Sequence, residues 1–258
     1  GEPDDIKIVE LGGGRGTLMF DLLNATKNIS GFHKAASVHI VEISQNLRQQ
    51  QRQKLAIFAN IQLHQYDNFA DIPAGKMLLI ANEFFDALPI EQYIFQDQNW
   101  LERVIKINAQ GELIFARGDI IEGSAASEEV MSKICQRLQQ DNRAALIIDY
   151  GYTKTDSKIS SLQAVKQHQY HDLFADIGNA DLTAHVNFKN LQQIAEKFRL
   201  NSQIISQADF LNSLAIKERA AILAKNATDK QKHDIANALQ RLTSSKQMGE
   251  LFKCLLVN

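Results

Sequence analysis

The chain has 258 residues, 45% of them hydrophobic and 22% charged, and its 28 basic and 30 acidic side chains leave a net charge of −2. This is the composition of a globular protein, and its near-neutral balance excludes a nucleic-acid binder built on bulk positive charge. No apolar run approaches the roughly 20 residues of a membrane span, no signal-peptide order opens the chain, and Cys135 and Cys254 lie far apart, which excludes a disulfide framework or zinc cluster and fits a reducing compartment.

In chain order, Ile6–Leu11 reads as a β-branched strand that stops at a glycine cluster, and Thr17–Leu23 carries apolar residues at helical spacing. Val38–Ile43 predicts a second strand, Ser44 an N-cap for a polar helix to about Phe58, and Ile61–His64 a weak third strand. Met77–Ala81 and Ala144–Asp149 read as fourth and fifth strands buried on both faces. Between them Gln92–Phe95, Leu101–Ile107 and Leu113–Ala116 read as antiparallel strands turning at Asp97–Asn99 and Asn108–Gly111. Helices are expected near Phe188–Phe198, Gln207–Leu214, Lys217–Lys225 and Lys230–Leu242, and a last strand over Leu251–Val257. Strands alternating with helices imply right-handed crossovers and a parallel sheet covered on both faces. The length suits a single domain over 1–258, with 90–120 as a β-rich insertion.

The sharpest local feature is Val9-Glu10-Leu11-Gly12-Gly13-Gly14-Arg15-Gly16-Thr17, between a predicted strand and a predicted helix. Glycines let the backbone turn tightly and approach a ligand, and the helix start offers free N–H groups. A Walker loop would need Gly-Lys-Ser/Thr, and a dinucleotide fingerprint would need a third glycine where Thr17 stands. Glu10 beside the loop repels a pyrophosphate and favours a cation such as the ammonium of an amino-acid moiety. S-adenosylmethionine carries that ammonium and no phosphate. Glu42, near the end of the second strand, is placed to accept ribose hydroxyls, and Asp67, after the third, to accept an adenine amino group. A solvated glutamate and a turn-forming Asp beside Asn68 are the competing readings of these two residues.

Asn82-Glu83-Phe84-Phe85-Asp86-Ala87-Leu88-Pro89, together with the glycine loop, closely resembles the MidA family of S-adenosylmethionine-dependent methyltransferases. The likeness continues through Val41-Glu42-Ile43-Ser44, Ile147-Ile148-Asp149-Tyr150-Gly151-Tyr152, Asp181-Leu182-Thr183-Ala184-His185-Val186 and Gln247-Met248-Gly249-Glu250-Leu251-Phe252-Lys253. The resemblance implies an α/β, Rossmann-like class I methyltransferase: a mostly parallel seven-stranded sheet with an antiparallel last strand and a β insertion between the fourth and fifth strands. It implies S-adenosylmethionine as cofactor, held by Glu10, Gly12, Gly14, Gly16, Thr17, Glu42, Asp67 and Asn82. It also implies a protein arginine N-methyltransferase acting on a subunit of respiratory complex I and supporting its assembly, in a bacterial cytoplasm or a mitochondrial matrix, the first favoured.

Three departures stand out: Gly13 replaces a proline, which is expected to loosen the loop, Gln65 a tryptophan, and Asn187 an aspartate. Family members also carry a segment upstream of the first strand that this chain, beginning at Gly1, is expected to lack. That segment would cover part of the cofactor and acceptor site.

Arginine is a demanding acceptor because its guanidinium stays protonated, with a pKa above about 12. Glu83 and Asp86 are the expected carboxylates, three apart on one side of a helical turn, and His185 the expected proton acceptor or closing residue. Phe84 and Phe85 are expected in the core sooner than in cation–π contact, and Asp149 and Tyr150 beside the acceptor cleft. His168 and His171 read as surface residues, without a carboxylate or Cys to complete a metal set. No nucleic acid or membrane span is expected, and the oligomeric state is not encoded in any pattern found. The rival class is a catalytically idle assembly or binding protein that keeps the fold. A nicotinamide dehydrogenase is disfavoured by Glu10 and Thr17.

Overall fold

A computed structural model describes residues 4–140, 143–154, 160–166 and 169–258. Strand β1 (Ile6–Leu11) runs into the glycine loop and α1 (Thr17–Thr26); α2 (Phe32–Ala35), β2 (Ala36–Val41), α3 (Gln45–Leu55), β3 (Gln62–Tyr66) and β4 (Met77–Asn82) follow. The next segment is β-rich: β5 (Glu91–Gln96), β6 (Asn99–Glu102), β7 (Ile105–Ile107), β8 (Leu113–Phe115) and β9 (Ile120–Gly123). After α4 (Ala125–Leu138) and β10 (Arg143–Tyr152) come β11 (Gln163–Lys166), β12 (Gln169–His171), β13 (Asp181–Thr183) and β14 (Val186–Asn187). The remainder is α5 (Phe188–Lys197), β15 (Ser202–Ser206), α6 (Gln207–Ser213), α7 (Ile216–Ala224), α8 (Asp229–Thr243), α9 (Met248–Leu251) and β16 (Phe252–Val257).

The main sheet has the order β3-β2-β1-β4-β10-β16-β15. Pairings from β3 to β10 are parallel, and β16 runs antiparallel to both β10 and β15. This is the Rossmann-like arrangement with an antiparallel last strand. Strand order reverses between β1 and β4, so the crevice of the topological switch point opens at Gly12 and Asn82. The segment after β4 forms a β6-β5-β9 sheet and a β7-β8 hairpin. The turn between β5 and β6 uses left-handed Asp97 and Gln98, the geometry that matches strand twist in tight hairpins.

Period-2 alternation splits the core. Val9, Leu11, Met77, Leu79, Ala145 and Ile147 pack against α4 and α5, whereas Ile8, Val38 and Ile40 pack against α1 and α3. Each such large side chain contributes about 1.5–3 kcal/mol of burial. Helix starts are fixed by side chains that satisfy free N–H groups: Ser44 accepts from Leu47, Ser124 from Ser127, and Thr228 with Gln231 forms a capping box.

Three expectations need correction. The fourth strand is not buried on both faces, because Leu78 is 40% exposed. Neither is the sheet covered throughout: two apolar grooves of about 510 Å³ each meet at Leu78, one reaching Phe32 and the other running over Ile80, Leu146 and Leu256. And α4 and β15 occupy segments where no element was expected. Cys135 and Cys254 are buried free thiols, each pushed up to about 12 by burial. Among the described residues no helix is long and apolar enough to cross a membrane, and no His, Cys, Asp and Glu cluster could hold a metal.

Candidate active site

The glycine loop leaves β1 through three left-handed positions, Gly12 (φ 67), Gly14 (φ 49) and Gly16 (φ 72). A Cβ on Gly12 would lie 2.9 Å from Phe84 Cδ2, so two independent constraints require glycine there. The loop is tied despite the missing proline: Gly16 N–H donates to the Gly13 carbonyl (2.8 Å) and Gln51 Nε2 to the Gly14 carbonyl (2.8 Å). Gln65 extends that tether by donating to Gln51 Oε1 (2.7 Å), so its amide has a defined task where the family often has tryptophan.

Glu10 sits beneath the loop, 3% exposed, with Oε2 buried and unpartnered. Burial pushes its carboxyl up to about 7. A buried carboxyl oxygen without a donor is costly unless a ligand supplies one. This orphan fits the ammonium expected of the cofactor.

Beside the loop a cavity of about 280 Å³ is lined by Gly12, Glu42, Ile43, Asp67, Phe69 and Phe84, among others. Glu42 is nearly buried and takes the Ser44 N–H on Oε1 at 2.9 Å, which leaves acceptor capacity toward the cavity. Arg48 sets the rim: Nε donates to the Glu42 carbonyl and Nη2 to Asp67 Oδ1 at 2.7 Å. Ile43 is 78% exposed on this rim, an apolar surface suited to a flat apolar ring. Sequence reasoning passed over Ile43, because an isolated exposed isoleucine carries no pattern.

The second half of the site lies across β4 and β10. The expected helical turn at Glu83–Asp86 does not form. Glu83 is left-handed (φ 49), and Asp149 takes the N–H groups of Phe85 (3.0 Å) and Asp86 (3.2 Å) on Oδ2. Those donors are thereby drawn out of any helical pattern. Asp149 Oδ1 takes the Tyr150 N–H at 2.9 Å, and the whole residue is buried.

Glu83 and Asp86 still share one cleft, of about 1050 Å³, with Tyr150, Asp181 and His185. Asp86 is 7% exposed; Oδ2 accepts from the Tyr150 hydroxyl at 2.6 Å and Oδ1 has no partner. Burial raises both Asp86 and Asp149, and Asp149 is raised further by Asp86. Burial lowers His185, whose ring meets Tyr150 edge-on at 5.4 Å. The backbone N–H of His185 donates to Ser161 Oγ (3.0 Å), and Ser161 is held by Glu122 of β9. The β-rich segment therefore props the His185 loop.

Not every expected residue faces these cavities. Thr17 Oγ1 accepts from Lys54, Asn82 Nδ2 donates to Glu83 (3.3 Å), and neither these two nor Glu10 and Gly14 line the cavity beside the loop. Gly16 serves α3, with Gln51 Cα 3.4 Å from where a Cβ would be. Phe85 is core, whereas Phe84 walls the cavity. Asn187 caps α5 by accepting from Asn190, a task aspartate performs equally well. His171 is partly buried with Nε2 3.7 Å from Asp176, so it is not simply a surface residue; His168 lies outside the described residues.

The chain matches the family model described as "Putative S-adenosyl-L-methionine-dependent methyltransferase" over residues 1–119 and 112–206. It is 30% identical to the mitochondrial protein arginine methyltransferase NDUFAF7 homolog of Drosophila melanogaster, over 99% of this chain and 68% of that one. Identity to the Danio rerio protein arginine methyltransferase NDUFAF7 is 29%, over 98% and 69%. Among solved structures, a Burkholderia thailandensis protein superposes with a TM-score of 0.84 at 26% identity, over 98% of this chain and 74% of that one. Another from the same organism, bound to S-adenosyl-homocysteine, gives 0.82 at 25%, over 98% and 71%.

Proposed function

This chain belongs to the S-adenosyl-L-methionine-dependent methyltransferase family matched over residues 1–119 and 112–206, and we propose that within it the protein methylates an arginine side chain of a protein substrate. When bound, the cofactor supplies an electrophilic methyl group on a sulfonium with a good leaving group. The chain's own residues supply position and charge. Glu10 receives the cofactor ammonium on its orphan oxygen, Glu42 the ribose hydroxyls and Asp67 the adenine edge, with Ile43 and Phe84 as apolar walls.

On the acceptor side, Asp86 Oδ1 and the Glu83 carboxylate orient a guanidinium and localise its charge. His185, whose neutral form burial favours, takes the proton released on transfer. The observation that carries the reading is the buried, unpartnered Oδ1 of Asp86, an aspartate that lines one cleft together with Glu83. The names of the relatives support arginine as acceptor. The MidA resemblance directs the search for the substrate to a subunit of respiratory complex I, and the mitochondrial relatives direct the search for its location to the matrix or its bacterial counterpart.

The test is calorimetric titration with S-adenosylmethionine and S-adenosylhomocysteine, followed by transfer of a labelled methyl to arginine peptides. Micromolar binding with label on arginine supports the reading. Binding without transfer to any arginine acceptor returns the protein to the idle binding class.

Two variants separate the half-sites. Glu42→Ala is expected to weaken cofactor binding by about 1.5 kcal/mol, roughly tenfold, through lost charge-assisted hydrogen bonds; unchanged affinity removes Glu42 from the site. Glu83→Gln is expected to bind cofactor normally and lose about a hundredfold in kcat, the low end of what a positioned acid or base provides.

A further inference from the structure

The acceptor cleft has a second level beyond the carboxylates. In the β12-β11-β13 sheet, Gln163 pairs with Thr183, and Val165 pairs with both Tyr170 and Asp181. Cross-strand partners share a face, and all five residues line the cleft. Gln163 and Thr183 form an inner rung, joined by a 3.3 Å bond and reaching the Tyr150 hydroxyl that holds Asp86. Asp181, Val165 and Tyr170 form an outer rung two residues further along, about 7 Å away. Tyr170 is 81% exposed, and Asp181 makes no salt bridge among the described residues. Among the described residues no lysine or arginine lines the cleft, and its carboxylate members are Glu83, Asp86 and Asp181.

An extended peptide repeats its side chains on one face every second residue, again at about 7 Å. We infer that the cleft binds its protein substrate as an extended segment in which a second cationic side chain, two residues from the target arginine, sits on the outer rung formed by Asp181 and Tyr170. The inference rests on the arginine reading above. Two observations point to a cationic ligand: the uniform charge of the cleft, and the buried, unpartnered Oδ1 of Asp86 at its inner end. Asp181 supplies the counter-charge, and the Tyr170 ring a face for a cation.

The probes are fluorescein-labelled glycine peptides with one central arginine, carrying lysine two residues away on both sides, one residue away on both sides, or nowhere. Anisotropy is read with saturating S-adenosylhomocysteine, so binding is scored without turnover. At low salt the two-residue peptide is expected to bind about fivefold tighter than the lysine-free one, the scale of an exposed ion pair. The one-residue peptide is expected to gain less than twofold. Asp181→Asn should abolish the advantage and Asp181→Glu retain it, and Tyr170→Ala should halve it. Equal binding of the three peptides, no binding of any, or an advantage that survives Asp181→Asn overturns the proposal. If the spacing preference holds but no arginine is methylated, the arginine reading fails and the cationic subsite stands.

Discussion

Asp149→Ala is expected to abolish methyl transfer and lower Tm by about 10 °C while leaving a cofactor site that still binds. Asp149 is fully buried and takes three backbone N–H groups, from Phe85, Asp86 and Tyr150. Truncation strands all three donors away from water. Each stranded donor costs about 1–3 kcal/mol, and at this chain length 1 kcal/mol corresponds to roughly 2–4 °C. The functional loss has a separate cause: without the carboxylate, the turn that carries Glu83 and Asp86 loses the bonds that pin the Phe85 and Asp86 N–H groups. The glycine loop and Glu42 follow β1 and β2, and of the residues in that turn only Phe84 lines their cavity.

Asp149→Asn retains one acceptor oxygen but turns an NH₂ toward a donor. It should therefore fall between wild type and alanine in Tm, with kcat reduced more than cofactor affinity. Wild-type kcat and Tm in the asparagine variant would show that the three bonds do not set the turn.

That turn also marks where the sequence stopped being readable. Glu83 and Asp86 have helical spacing, and local pattern alone predicts a helical turn. The N–H groups that would build it are taken by a side chain more than 60 positions away, which no local rule detects. The glycine loop, Glu10 and the Ser44 cap were legible because their causes lie within a few residues: a strand end, left-handed glycines, a hydroxyl three residues before the N–H it satisfies. Helix α4 had a readable signature, with Ser124 as cap and Met131, Ile134, Cys135 and Leu138 at helical spacing, and it was masked by the β-like run before it. The open face at Leu78 was hidden for a different reason. An apolar run states that a strand can be buried on both sides, not that this chain covers it. Arg48 escaped notice as a site residue, and Asp149 was expected beside the cleft but not as the acceptor of three backbone N–H groups, because both act through groups they hold in place.

Cofactor affinity is expected to fall as pH drops through about 7, approaching tenfold per unit below about 6. Burial pushes Glu10 up to about 7 in the free protein, and only the ionised carboxylate attracts the ammonium. Below that pH binding must expel the proton. Calorimetry at pH 6 in buffers of different ionisation enthalpy should report release of about 0.9 proton per cofactor. Glu10→Gln should bind roughly a hundredfold more weakly at pH 7.5, the upper range for a hydrogen bond to a charged group, and its affinity should not change with pH.

The linkage also acts on folding. The carboxyl titrates near 4.5 in the unfolded chain and near 7 in the folded one, so the folded state binds more protons between those values. Its stabilising contribution is complete below pH 4.5 and lost as pH rises to 7, about 3 kcal/mol at most. The cofactor reverses the trend by stabilising the ionised form, so the thermal shift it causes should be larger at pH 7.5 than at pH 5.5. A cofactor affinity that does not change between pH 5.5 and 7.5 in the wild type would remove Glu10 from the binding site.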